Sequence, residues 1–220
     1  MPIPIRPIWN IAQGTFAIIS LLLLGATTTI AATCVPPASF KDSSVPAAAN
    51  EAWVARTEAV DVKGRLQDVV RKVESADLGD IIDERGSLPR VLGTYNLTKG
   101  QFGKAGSRRL VCLSDGSTLV EQVLERTLAS DLYTFRYVVW NYTSEQAGAI
   151  DYSVGTFIYR PLSPDSTSIE WTYAFQLNRE RFPGNLGALG RFLFRVSFLD
   201  REYAEMMRRT LDNIQTVATR

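Results

Sequence analysis

The stretch NLGALGRFLFRVSFLDREYAEMMRRTLDNIQTVAT, residues 185–219, decides how the chain is read. Leu189, Phe192, Leu193, Val196, Tyr203, Met206, Met207, Leu211, Ile214 and Val217 mostly recur every three or four residues, with Arg191, Arg195, Arg208 and Arg209 between them. That period predicts one long amphipathic helix closing the chain, with Pro183 and Gly184 marking its start. An apolar stripe of this length must be buried against another layer.

Working back from the helix, segments near 166–177, 148–161, 131–142, 118–127, 106–113 and 90–98 are short and rich in β-branched or aromatic residues. Turn signals such as LSPDS, TSEQAG and SDG separate them. This is the pattern of an antiparallel meander. Ahead of it, AWVARTEAVDV alternates as a first strand, KGRLQDVVRKVES carries Leu66, Val69, Val70 and Val73 at helical spacing, and ADLGDIIDE suggests a second short helix. The expected fold is therefore α+β, with a curved antiparallel sheet of about seven strands wrapped around the C-terminal helix. A cavity between sheet and helix is the natural result.

Two strands define the inner wall. In IEWTYAFQL, Ile169, Trp171, Tyr173, Phe175 and Leu177 share a face, and in YTFRYVVWN so do Tyr133, Phe135, Tyr137 and Val139; Trp140 is out of place on the other face. Such a wall either lines a ligand pocket or packs as a filled core. The expected ligand-binding set is Phe135, Tyr137, Val139, Trp171, Tyr173 and Phe175 from the sheet, with Phe192, Val196 and Met207 from the helix.

The hairpin GSRRLVCLSDGSTLVEQ, residues 106–122, places Arg109 and Glu121 among Leu, Val and Cys. A two-residue turn at Asp115-Gly116 would set Leu110 opposite Glu121 and Arg109 opposite Gln122. Glu121 would then share an apolar face with Leu110, Cys112, Leu119 and Val123, and a bulge would be needed to pair it with Arg109. Two readings stand: a carboxylate on a cavity wall, or a solvated pair on the outer face. GQFGKAG, from Gly100, lacks the ending of a phosphate-binding loop and reads as a loop at the cavity mouth.

Composition narrows the function. The 220 residues are 45% hydrophobic and 21% charged with a formal charge of +1, which gives no general attraction for nucleic acid. There is no histidine, so imidazole-based triads and the commonest neutral metal ligand are excluded. No metal site or cofactor is expected. Of the two cysteines, Cys112 reads as a buried thiol in an apolar strand, and a Cys34–Cys112 disulfide in an oxidising compartment is the alternative.

The N-terminal residues 1–32 have Arg6, an apolar run from Phe16 to Leu24, and small residues before Ala31 and Ala32. They read as a signal peptide, with an uncleaved membrane anchor second, so the protein is expected to be periplasmic or secreted. Membrane contact would come through that segment. Residues 33–50 are rich in Pro, Ser and Ala and read as a linker, leaving 51–220 as the folded module.

The order of these motifs resembles the START-like, or SRPBCC, helix-grip superfamily, in its polyketide cyclase/dehydrase-like branch. The resemblance is carried by Gly106 and Arg109 in GSRRLVCL, Asp115-Gly116, Glu121 in TLVEQV, Tyr137 in FRYVV, and Trp171 to Phe175 in EWTYAF. It implies a pocket for a lipid-like or polyketide-like molecule and no inherited catalytic motif. An exported carrier or sensor of such a ligand is the preferred expectation. The alternatives are a cyclase, dehydrase or hydrolase using Glu121 with Tyr137 or Tyr173, and a module that binds another envelope protein.

Overall fold

Residues 34–46, 53–82 and 88–220 are described by the computed structural model; the leader or anchor expected at 1–32 lies outside them. Seven strands follow the order β1 (Val54–Lys63), β2 (Val91–Asn96), β3 (Arg108–Leu113), β4 (Thr118–Leu128), β5 (Tyr133–Trp140), β6 (Ile150–Ser163) and β7 (Ser166–Leu177). Each falls within a few residues of its sequence-based position. They form one antiparallel sheet in the order β1-β7-β6-β5-β4-β3-β2, so the first strand returns beside the last. Between β1 and β2 lie the helices α1 (Leu66–Ser75) and α2 (Leu78–Ile81).

The chain ends in α3 (Ala188–Phe194), a π-helical stretch (Arg195–Tyr203) and α4 (Ala204–Thr219). This is the helix-grip arrangement expected from the sequence. Helix and sheet are tied along β1: Arg56 Nη1 donates to Asp200 at 2.8 Å, Arg195 Nη2 to the Ala55 carbonyl at 3.1 Å, and Gln215 Nε2 to the Asp61 carbonyl at 2.8 Å. The small helices are tied to α4 as well. Lys72 donates to the Ala218 carbonyl at 2.8 Å and Asn213 to the Ile81 carbonyl at 3.0 Å.

The inner core joins Ile169, Trp171, Tyr173 and Phe175 of β7 to Leu199, Met207, Leu211 and Ile214 of the helix, all under a tenth exposed. A second apolar cluster lies on the outer face, where Leu110, Val120, Val138, Trp140, Tyr152 and Val154 project away from the helix. Strand alternation alone would leave these six side chains in water. They are covered instead by Phe40, Val45 and Trp53.

The segment read as a linker thus forms, over 34–46, a strap across the back of the sheet. Cys34 is bonded to Cys112, against the preferred reading of Cys112 as a free buried thiol. The Trp140 indole N–H donates to Ser43 Oγ at 2.8 Å, Asn141 Nδ2 to the Lys41 carbonyl at 3.1 Å, and Arg108 pairs with Asp42. Trp140 sits on the supposedly polar face because that face has a cover.

Candidate functional site: a cavity between sheet and helix

A cavity of about 760 Å³ lies between the concave face and the helical layer. That is the size of pockets that take drug-sized molecules, so the aromatic wall is not a filled core. Phe135, Tyr137 and Val139 of β5 and Trp171, Tyr173 and Phe175 of β7 all line it. Their rings pack in series: Phe157 stacks on Trp171 at 4.9 Å and 9°, and Tyr173 meets Trp171 edge-on at 5.8 Å.

From the helix, the wall is made by Phe198, Tyr203, Met206, Thr210 and Ile214. Of the three helical residues expected there, Phe192 and Val196 are 58% and 38% exposed, and Met207 is fully buried in the core rather than on the wall. The π-helical stretch is the reason. With hydrogen bonds reaching five residues back, each turn takes more than four residues, and the buried residues run Phe194, Leu199 and then Tyr203 with Ala204, in steps of four to five. A constant period of 3.6 carried back from α4 across this stretch arrives on the wrong face.

Arg109 and Glu121 face the cavity as a pair. Three residues, Ser114 to Gly116, form the turn, closed by Gly116 N–H to the Leu113 carbonyl at 3.0 Å and Leu113 N–H to the Ser117 carbonyl at 2.9 Å. Gly116 takes φ +82°, the left-handed conformation this turn requires of its last residue. The extra turn residue shifts the register by one, setting Arg109 opposite Glu121. Leu110 and Cys112 consequently move to the outer face, and neither pairs with Glu121.

Arg109 Nε and Nη2 both reach Glu121 Oε2 at 2.7 Å, while Oε1 has no protein donor among the described residues. The Glu121 side chain is 6% exposed and that of Arg109 15%. The Phe102 ring, from the loop expected at the cavity mouth, lies 3.9 Å from the guanidinium carbon and edge-on to Phe135. The loop therefore turns inward, and Phe102 is a wall residue that period-based reading had no means to find. A second unpredicted residue is Glu74 at the end of α1. It takes two 2.6 Å bonds from Arg126 of β4 and one of 2.8 Å from the Tyr133 hydroxyl, fastening α1 across the sheet.

The register row through Glu121 continues to Val139, Ser153 and Phe175. Beside it, Tyr137, Gly155 and Tyr173 form the next inward row. A Cβ on Gly155 would stand 2.1 Å from Tyr137 Cζ and 2.3 Å from its hydroxyl oxygen, so the glycine is the notch into which the phenol end fits. Gly155→Ala is expected to cost about 1–3 kcal/mol through overpacking. In a Tyr137→Leu background most of that cost should vanish, which paired denaturation curves would reveal.

Burial pushes the phenols of Tyr137, Tyr142, Tyr173 and Tyr203 well up from the ordinary tyrosine value, and the Glu121 charge adds to the shift at Tyr137. All four remain neutral hydrogen-bond donors at neutral pH. Ser153 Oγ donates to the Tyr173 hydroxyl at 2.7 Å and lies 2.5 Å from that of Tyr142.

A curved seven-stranded sheet gripping a C-terminal helix around an aromatic cavity is the helix-grip fold of the START-like proteins, and this chain has that fold. Among solved structures, it is similar to Ara h 8.0201 at 11% identity, covering 76% of this chain and 99% of that one with a TM-score of 0.54. It is also similar to the Zhui aromatase/cyclase of Streptomyces sp. R1128, at 13% identity, 77% and 95% coverage and a TM-score of 0.51. The di-domain ARO/CYC StfQ of the steffimycin biosynthetic pathway matches at 15% identity and a TM-score of 0.53, over 76% of this chain and 51% of that one. No family model and no curated protein matches the sequence.

Proposed function

We propose that the protein is an exported carrier or sensor that holds a hydrophobic or amphipathic small molecule in the cavity between its sheet and its C-terminal helix. The observation that carries this reading is the cavity itself: about 760 Å³ walled chiefly by aromatic and aliphatic side chains, with Arg109 paired to Glu121 and Arg126 to Glu74. At about 25 cal/mol per Å², burying roughly 300 Å² of ligand surface contributes about 7 kcal/mol before the cost of ordering it. Useful affinity needs no covalent chemistry. The aromatase/cyclase neighbours support a polycyclic or polyketide-like guest of the same general shape. Export is supported by the Cys34–Cys112 bond, since such bonds persist in oxidising compartments.

Native mass spectrometry of the protein purified from its own host tests the proposal. A co-purifying adduct of a few hundred daltons that is lost on denaturation is expected. Protein that emerges empty from gentle extraction, and that also fails to take up a hydrophobic dye, would defeat it.

One observation favours a second reading, that of a cyclase- or hydrolase-like enzyme. Glu121 keeps an oxygen free of protein donors in the same cavity as Tyr137, a geometry open to proton transfer. If that reading holds, the ligand recovered from a Glu121→Gln protein will differ in mass from the one recovered from the unaltered chain. Identical ligands remove Glu121 from any chemistry.

A further inference from the structure

Five of the ten large apolar side chains that stand exposed among the described residues fall within 182–196: Phe182, Leu186, Leu189, Phe192 and Val196. In α3 the buried residues are Gly190 and Phe194, and Phe194 packs on Phe175. Leu189, Phe192 and Val196 recur at steps of three and four on the other side. The helix is thus apolar on two faces, and only one of them meets the core. None of the five exposed side chains lines the cavity.

Their exposure is built into the backbone. A Cβ on Gly184 would stand 2.1 Å from the Asn178 carbonyl oxygen, and one on Gly190 1.8 Å from that of Pro183, so the turn closes on itself with room for neither. Asn185 N–H donates to the Arg181 carbonyl at 2.9 Å and Arg191 N–H to that of Gly187 at 3.1 Å. Phe182 and Leu189 therefore project from a tightly closed frame.

Charge selects what covers this face. Between Asn178 and Val196 stand four arginines and one acid, Glu180. Arg179, Arg181 and Arg191 form no ion pair among the described residues, and Asp200, the next acid along the chain, accepts from Arg56. A second copy seated by two-fold symmetry would set these cations against one another. An anionic bilayer suits both features: apolar side chains enter the boundary between headgroups and acyl chains, and guanidinium groups on long stems stay level with the phosphates. No described helix is long and apolar enough to cross a membrane, so the contact is with its surface.

We infer that residues 179–196 form a docking face for an anionic phospholipid surface. The face adjoins the cavity: the rings of Phe194, Phe198 and Tyr203 follow one another at 5.1 and 5.6 Å, and the latter two line the chamber. It goes beyond the carrier reading and does not depend on it.

The two cysteines of the chain are bonded to each other, so Leu189→Cys in the full chain supplies a single thiol for the environment-sensitive dye NBD. Leu162→Cys, at the exposed β6–β7 turn, is the control position. With vesicles of about one-third phosphatidylglycerol in phosphatidylcholine, the dye at 189 should brighten several-fold and shift to the blue, while the dye at 162 stays unchanged. Pure phosphatidylcholine vesicles should give far less, and high salt should weaken the response. Arg179→Gln/Arg181→Gln/Arg191→Gln should raise the lipid concentration for half the response by roughly a hundredfold. A silent dye at 189, or equal responses at 189 and 162, overturns the docking face and leaves its apolar residues to a protein partner. Equal responses to neutral and anionic vesicles overturn the anionic source, and a change with protein concentration alone assigns the face to a second copy instead. The cavity reading is untouched by any of these outcomes.

Discussion

Arg109→Ala is expected to destabilise the protein by about 3–5 kcal/mol, because it leaves the Glu121 carboxylate buried without its counter-ion. The side chain of Glu121 is 6% exposed, and its only protein hydrogen-bond donors among the described residues are the Nε and Nη2 groups of Arg109. A surface pair would lose at most about 1 kcal/mol on the same change. The two possibilities are far enough apart for urea denaturation at neutral pH to separate them. Removing both partners, as Arg109→Met with Glu121→Leu, should restore most of the loss, since an apolar pair of similar volume needs no desolvation of charge. If Arg109→Ala costs under about 1 kcal/mol, the carboxylate is well hydrated and the cavity is wetter than its aromatic walls imply.

Breaking the Cys34–Cys112 bond should have a similar effect by a different route. The two residues are 78 positions apart, and closing a loop of that size in the unfolded chain is worth about 4 kcal/mol. The bond also holds the strap over an outer cluster that includes Leu110, Val120 and Val138. The double Cys34→Ser/Cys112→Ser protein, and the unaltered protein under a thiol reductant, should unfold at the same, lower urea concentration. Amide exchange in residues 34–46 should accelerate in both. Unchanged stability on full reduction would mean that the strap contributes nothing the sheet needs.

Most of the architecture was legible in the sequence because alternation in the strands and the three-to-four spacing in α1 and α4 reflect one-sided burial, which the chain encodes locally. The inner wall was legible for the same reason: Trp171, Tyr173 and Phe175 stand two apart, and their rings face the cavity. What escaped was set by geometry that period does not report. One turn residue more than Asp115-Gly116 implies, and Glu121 exchanges Gln122's place opposite Arg109. Wider helical turns carried Phe192 and Val196 outward. Phe102 lies in a loop with no period at all, and the strap of 34–46 has the composition of a tether yet is held by a covalent bond and by Trp140. Glu74 looked like one more solvated charge on an amphipathic helix, and only the approach of β4 and β5 gives it partners.

The π-helical stretch Arg195–Tyr203 sits between two parts of the helix with different neighbours: Phe194 packs on Phe175 near one end of the sheet, while Met206, Thr210 and Ile214 look into the cavity. An unbroken rod has a single azimuth to offer, fixed by its repeat. The surplus backbone in the middle acts as a swivel, letting each half choose its own bearing, so that anchoring at one end and contouring of the chamber at the other can evolve separately. Excising one residue there would tie the two bearings together again, rolling the upstream half by about 100°.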